Sequence, residues 1–129
     1  MNTITVTLPW PPAECSPNWR GHWAVRYKAV KVYRWQGWEP VFHKLAWLDE
    51  CGKNNFSGAE RLSMQYTFNP PTSHKRDDDN FIARMKAARD GICDALGVDD
   101  SVVTLLPVTW GEVTPGGEVV ITIGLLEDE

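Results

Sequence analysis

The sequence predicts an α+β domain: a small, mostly antiparallel or mixed sheet carrying two main helices. Three patterns predict it. Thr3 to Leu8 and Leu62 to Phe68 alternate apolar and polar side chains, the period of a half-buried strand. Phe81, Met85, Ala88, Ile92 and Leu96 recur at helical spacing, with Ile82 and Ala95 beside them. Val102 to Val108 and Val119 to Leu125 return to strand composition. A chain of 129 residues is long enough to enclose one core, so residues 1–129 are expected to form a single domain.

In order, the first strand ends at Trp10-Pro11-Pro12, and Ala13 to Asn18 reads as loop, with Asn18 either a turn residue or a phosphate-positioning one. A helix is expected from Gly21 or His22 to about Trp38. Pro40 marks a break there, since proline lacks the amide a helix interior uses, and Val41 to Leu48 forms a second helical piece. Gly52 to Glu60 is a polar linker. The 81–96 helix should stop at Gly97. Thr114-Pro115-Gly116-Gly117 is expected to turn a strand ending near Val113 back into the last one.

Composition narrows the function classes. The apolar runs fall short of the roughly 20 residues that cross a bilayer, so no membrane partner is expected. Cys15, Cys51 and Cys93 are odd in number and lack C-x-x-C spacing, which points to reduced thiols in a cytoplasmic protein. Net charge is −4, against a general polyanion binder, but it is unevenly spread. Arg20, Arg26, Lys28, Lys31 and Arg34 fall between residues 19 and 34 without one acid, and Lys28, Lys31 and Arg34 share a broad helical face. That face is either a phosphate-tracking stripe or an ordinary solvated surface. Trp23, Trp35, Trp38 and Trp47 suit core or dimer packing; Trp10 and Trp19, in loop, are the better candidates for stacking on bases.

The chemistry concentrates in Lys75-Arg76-Asp77-Asp78-Asp79-Asn80, directly before the 81–96 helix. Asp77 and Asp79 are two apart and project to one side of extended chain. Such a pair is a hard-oxygen site suited to Mg²⁺ or Mn²⁺. The competing reading is structural: acids before a helix cap it and favour its positive end. Asp99-Asp100, past Gly97, poses the same choice. Calcium-loop, zinc-deaminase and phosphate-loop motifs fail on spacing.

Together with Lys86-Ala87-Ala88-Arg89-Asp90-Gly91-Ile92 and Val98-Asp99-Asp100, this stretch resembles the RusA family of Holliday junction resolvases, small endonucleases of bacteria and prophages. Leu8-Pro9-Trp10-Pro11-Pro12, Ser16-Pro17-Asn18 and Thr114-Pro115-Gly116-Gly117 extend the resemblance over most of the chain. It implies a RusA-like fold and a homodimer that resolves four-way DNA junctions by paired symmetric nicks with Mg²⁺, Mn²⁺ substituting. By the same resemblance, Asp77, Asp79 and Asp100 would bind the metal, and Lys86 would be the catalytic cation. In the family's best-known members that lysine follows the second site acid by four residues; here that place is Ala83. Lys86 follows Asp79 by seven, on nearly the same face but roughly 4–5 Å further along a helix axis. Arg76 or Arg84 could fill its role instead. DNA contacts are expected from Arg20, Lys28, Lys31, Arg34, Lys75 and Arg76. Two other classes stay open: a non-catalytic DNA-binding or regulatory protein on the same fold, and a metal-dependent nuclease for other branched nucleic acids.

Overall fold

The alternation in Thr3 to Leu8 does produce a strand. β1 (Thr3–Pro9) turns Ile4, Val6 and Leu8 inward and its threonines outward. The other strands are β2 (Leu62–Asn69), β3 (Val103–Leu105), β4 (Thr109–Trp110) and β5 (Glu118–Leu125). The computed structural model describes residues 3–74 and 76–126. Lys75, expected to contact DNA, lies outside the described residues, as does the acidic tail from Glu127. Strand order is β1-β5-β2-β3, with β4 also beside β2. β5 runs antiparallel to both neighbours, Ile4 lying opposite Ile123 and Tyr66 opposite Ile121. β3 and β4 run parallel to β2. The molecule is therefore α+β with a mixed sheet.

The hairpin expected at Thr114 to Gly117 does not form. The amides of Gly111 and Thr114 donate to the Phe68 and Pro70 carbonyls at 2.8 Å, which draws this segment alongside the end of β2. The Gly117 amide closes a turn onto the Thr114 carbonyl, and the chain enters β5 beside β1 and β2 instead.

Pro40 does not break the first helix. α1 (Trp23–Glu50) is one helix of 28 residues, with the His22 ring nitrogen Nδ1 accepting from the Ala24 amide at its start. Tyr33, Gly37, Val41, Leu45 and Leu48 are buried in one stripe on both sides of the proline. Their burial outweighs the roughly 3 kcal/mol that an interior proline costs. The 81–96 segment departs the other way and divides into α2 (Asp78–Arg84) and α3 (Lys86–Leu96), giving three helices in place of two. At Met85 (φ −79°, ψ −6°) the amide donates to the Ile82 carbonyl, a tightened i→i−3 turn. That turn seats Phe81 among Trp10, Phe68 and Trp110 while the Met85 sulfur stays 3.4 Å from the Tyr33 hydroxyl. The apolar stripe survives the break, since Phe81, Met85, Ala88, Ile92 and Leu96 are all buried. Gly97, at φ 69°, ends α3 as expected.

α1 and α3 pack backbone to backbone. A Cβ on Gly37 would collide with the Ala88 carbonyl, and one on Gly91 with the Arg34 carbonyl. Two glycines are what this approach requires. The Tyr33 hydroxyl, beneath the same crossing, donates to the Pro9 carbonyl at 2.9 Å, and burial pushes its pKa above the ordinary phenol value.

The thiols supply a testable consequence. Cys15 and Cys93 are buried and Cys51 is exposed. Burial pushes the Cys93 thiol up from 9.0 to about 11, opposed by Arg89. A disulfide reagent at pH 8 should therefore label one thiol per native chain rapidly, and all three after denaturation. Because the folded state holds the Cys93 proton more tightly than the unfolded state, its contribution to stability is full below pH 9 and is lost as pH rises towards 11. Rapid labelling of Cys93 in the native protein would contradict this packing.

Candidate functional site at the start of the second helix

β2 delivers the chain through Asn69-Pro70-Pro71 to the acidic run, and the three acids there have three different surroundings. Asp77 is the N-cap of α2: its Oδ1 accepts from the Asp79 amide at 3.1 Å. Asp78 is held by the indole of Trp110, which donates to Oδ1 at 2.6 Å. The Asp79 side chain is exposed and, among the described residues, its carboxylate accepts no hydrogen bond. The capping role belongs to Asp77, which is itself exposed.

Asn80 is a tie and not a cap. Its Nδ2 donates to the Ser16 hydroxyl at 3.1 Å, and its Oδ1 accepts from Arg84 Nε at 3.0 Å. The buried Ser16 hydroxyl also accepts from the Asn18 amide, so Asn18 is a turn residue. Arg76 folds back onto its own loop, donating to the carbonyls of Thr72 and His74, and its guanidinium lies 5.6 Å over the Trp10 ring. Trp10 is therefore part of an aromatic cluster with Phe68, Phe81 and Trp110, which removes it as a free base-stacking platform. Trp19 covers Gly21, and its indole nitrogen is buried.

Asp100 has a partner of its own. β3 starts opposite Leu62, where β2 begins, whereas Asp77 follows the end where β2 leaves. The parallel crossover brings Asp100 back against α3. It makes a 3.5 Å ion pair with Arg89, in the first turn of α3. Asp99 caps the short 3₁₀ turn Asp100–Val102, accepting from the Ser101 amide at 3.0 Å; the Ser101 hydroxyl first, and this amide second, hold its pKa below the usual carboxylate value. Among the described residues no group of three His, Cys, Asp or Glu side chains is placed to hold a metal ion. Asp77 and Asp79 are neighbours at the start of α2, and Asp100 is held by Arg89.

Lys86 opens α3 and pairs with Asp90 at 3.6 Å. Both line a cavity of about 500 Å³, together with Arg26 and Arg89. Ile82 and Ala83 on its wall are three and four residues after Asp79, so the cavity lies along the same face of α2 as that carboxylate. Arg26, Arg89 and Asp90 were not among the expected site residues. The i, i+4 pairing of Lys86 with Asp90 was the signal available for the last of them.

On α1, Lys28 and Lys31 are exposed, as is Arg20 before it. Arg34 is engaged instead: its Nε and Nη2 donate to Asp94 Oδ2 at 3.0 and 2.6 Å, and that bond raises its pKa. Trp23, Trp35 and Trp47, expected to pack in a core or a dimer, are more than half exposed in the single chain. Among the described residues no helix is long and apolar enough to cross a membrane.

No family model matches the chain. It is 44% identical over 124 residues to an uncharacterized protein of Xylella fastidiosa (strain Temecula1 / ATCC 700964), an alignment that covers 92% of this chain and 74% of the relative. The chain therefore belongs to the same family as the Xylella fastidiosa protein.

Proposed function

We propose that the protein is a Mg²⁺-dependent, structure-specific endodeoxyribonuclease of RusA-like fold that nicks four-way DNA junctions as a homodimer, with Mn²⁺ substituting. The observation that carries this reading is the unpartnered Asp79 carboxylate beside Asp77, on the helix face that leads into a cavity rich in cations. The donor set suits the ion: Mg²⁺ takes one or two protein carboxylates and fills its remaining sites with water and substrate phosphate. Asp77 and Asp79 would hold it. When bound, it offsets charge on the scissile phosphate and lowers the pKa of a water.

The chain's own groups have distinct tasks in this scheme. Trp110 restrains Asp78, so that carboxylate orients the acidic turn and leaves Asp79 facing solvent. Lys86, tethered to Asp90, supplies a cation for charge developing on the phosphate. Arg20, Lys28 and Lys31, exposed in a stretch of sequence without acids, offer cations for the DNA backbone. Large exposed aromatics along α1 support self-association, because a small single chain seldom leaves so much apolar surface in water. Asp100, paired with Arg89, is the third acid that the resemblance implies. Reduced thiols fit work in the cytoplasm.

The test compares labelled four-way junction, linear duplex and flap DNA, with and without Mg²⁺. Paired nicks at symmetry-related positions on the junction, absent without the ion, are the expected result. Binding without cleavage would favour the regulatory reading. Flap cleavage alone would assign a different branched substrate.

A further inference from the structure

The cavity along the Asp79 face has a composition that the metal chemistry leaves unexplained. Its wall carries three bases, Arg26, Lys86 and Arg89, and one acid, Asp90, which leaves an excess of two positive charges (three minus one). Lys86 and Asp90 offset each other at 3.6 Å. Arg89 has Asp100 beside it at 3.5 Å, which leaves Arg26 as the cavity cation without an acidic partner among the described residues. Arg26 is anchored by neutral groups: its Nη1 donates to the Glu14 carbonyl at 3.2 Å and the Ser16 carbonyl at 2.5 Å. Those bonds fix its position without neutralising its charge. Arg89 reaches Asp100 only at 3.5 Å, and its Nε, buried, has no acceptor among the described residues. A buried guanidinium donor without an acceptor is costly, so such a group is normally satisfied by a water or a ligand oxygen.

We infer that this cavity is a phosphate-binding subsite, in which Arg26 and Arg89, with Lys86, hold one phosphate group next to the Asp77 and Asp79 pair. Forked guanidinium groups match phosphate oxygens, and a volume of about 500 Å³ accommodates a phosphate with its attached sugar. The cavity follows the Asp79 face of α2, so a nucleic-acid strand crossing the acids would present its neighbouring phosphate here. The source of the phosphate rests on the nuclease reading; the recognition chemistry does not.

The experiment is done without divalent ion, so that it is independent of cleavage. A fluorescent 15-nucleotide single strand is titrated at several chloride concentrations against wild type, Arg26→Gln, Arg89→Gln and Lys44→Gln, the last a control for a cation seated over Trp47 at the far end of α1. Each cavity variant should bind about tenfold more weakly. Each should also lower the slope of log affinity against log salt by about 0.7, the value for one lost single-strand phosphate contact. Lys44→Gln should change neither. Arg26→Gln risks releasing the 13–16 turn, so Arg89→Gln carries the decision if Arg26→Gln alone loses its fold. Inorganic phosphate, added at constant ionic strength, separates the sources. Displacement of the strand from wild type shows that free phosphate enters the subsite; a lowered slope without displacement shows a site for polynucleotide alone. Wild-type affinity and slope in folded Arg89→Gln, or an equal loss in Lys44→Gln, would overturn the inference. A junction that stays uncut in Mg²⁺ while the slopes shift would instead remove the nuclease reading and leave the subsite standing.

Discussion

Asp79→Asn lowers Mg²⁺-dependent junction cleavage by about 10³-fold or more while the protein stays folded and keeps its DNA affinity. The asparagine retains the size and an acceptor oxygen but loses the charge that attracts a hard cation, and with it the several kcal/mol a bound metal contributes to the transition state. Little structure is at stake. Asp79 is exposed, its amide still donates to the Asp77 cap, and the lost attraction to the helix N-terminus is about 0.3–1 kcal/mol. Strand affinity should be unchanged or higher, since one repulsion of phosphate disappears. The measurement pairs single-turnover cleavage in Mg²⁺ with a binding isotherm in its absence. Full activity in the variant would falsify the assignment of Asp79 to the metal.

Gly91→Ala should cost about 2–3 kcal/mol of stability, although alanine is by itself the better helix former by roughly 1 kcal/mol. The new methyl would meet the backbone of α1, with the Arg34 carbonyl carbon at 2.9 Å and the Trp38 nitrogen at 3.0 Å, besides the closer Arg34 oxygen. Backbone atoms cannot rotate aside as a side chain does, so α1 and α3 must move apart along their whole contact. Gly97→Ala is the comparison: its φ of 69° strains an L residue, but no atom lies within 4 Å of the added carbon. Urea denaturation should rank wild type above Gly97→Ala, and Gly97→Ala above Gly91→Ala. If Gly91→Ala is as stable as wild type, the helices do not approach as closely as the structure shows.

Local pattern was enough to locate most elements. Alternation placed β1 and β2 within a residue or so of their observed ends, and the stripe from Phe81 to Leu96 identified the buried side chains of α2 and α3. Local pattern failed where a distant partner decides. Pro40 sits inside α1 because Gly37 and Val41 on either side of it are committed to the interior, a commitment that a proline rule does not contain. The tightened turn at Met85 answers to Tyr33 and to the aromatic cluster, both remote in sequence. β4 follows the end of β2 because backbone amides at Gly111 and Thr114 find carbonyls there, and no residue type announces that pairing. The same limit applied to the site. The acid types and their spacing were legible, and the capping and metal readings of Asp77 turn out to be compatible. The pairing of Asp100 with Arg89 was not legible because it depends on β3 running parallel to β2, a matter of topology. Arg26 and Arg89 went unselected because only the folded chain turns one cavity towards both.

The place of β5 also determines when this domain can fold. β5 is the last strand in the described chain, yet it lies between β1 and β2 and supplies the antiparallel partner of each. Until Leu125 has been synthesised, β1 is without its ladder and β2 has only the short parallel edges of β3 and β4. During translation the chain must therefore keep two apolar strands and a long aromatic helix waiting for a segment still to come. Sheet formation is consequently a single late event joining residues more than a hundred positions apart, Thr3 to Gly124 among them, the slow kind of closure in which unpaired strand edges are exposed to other chains.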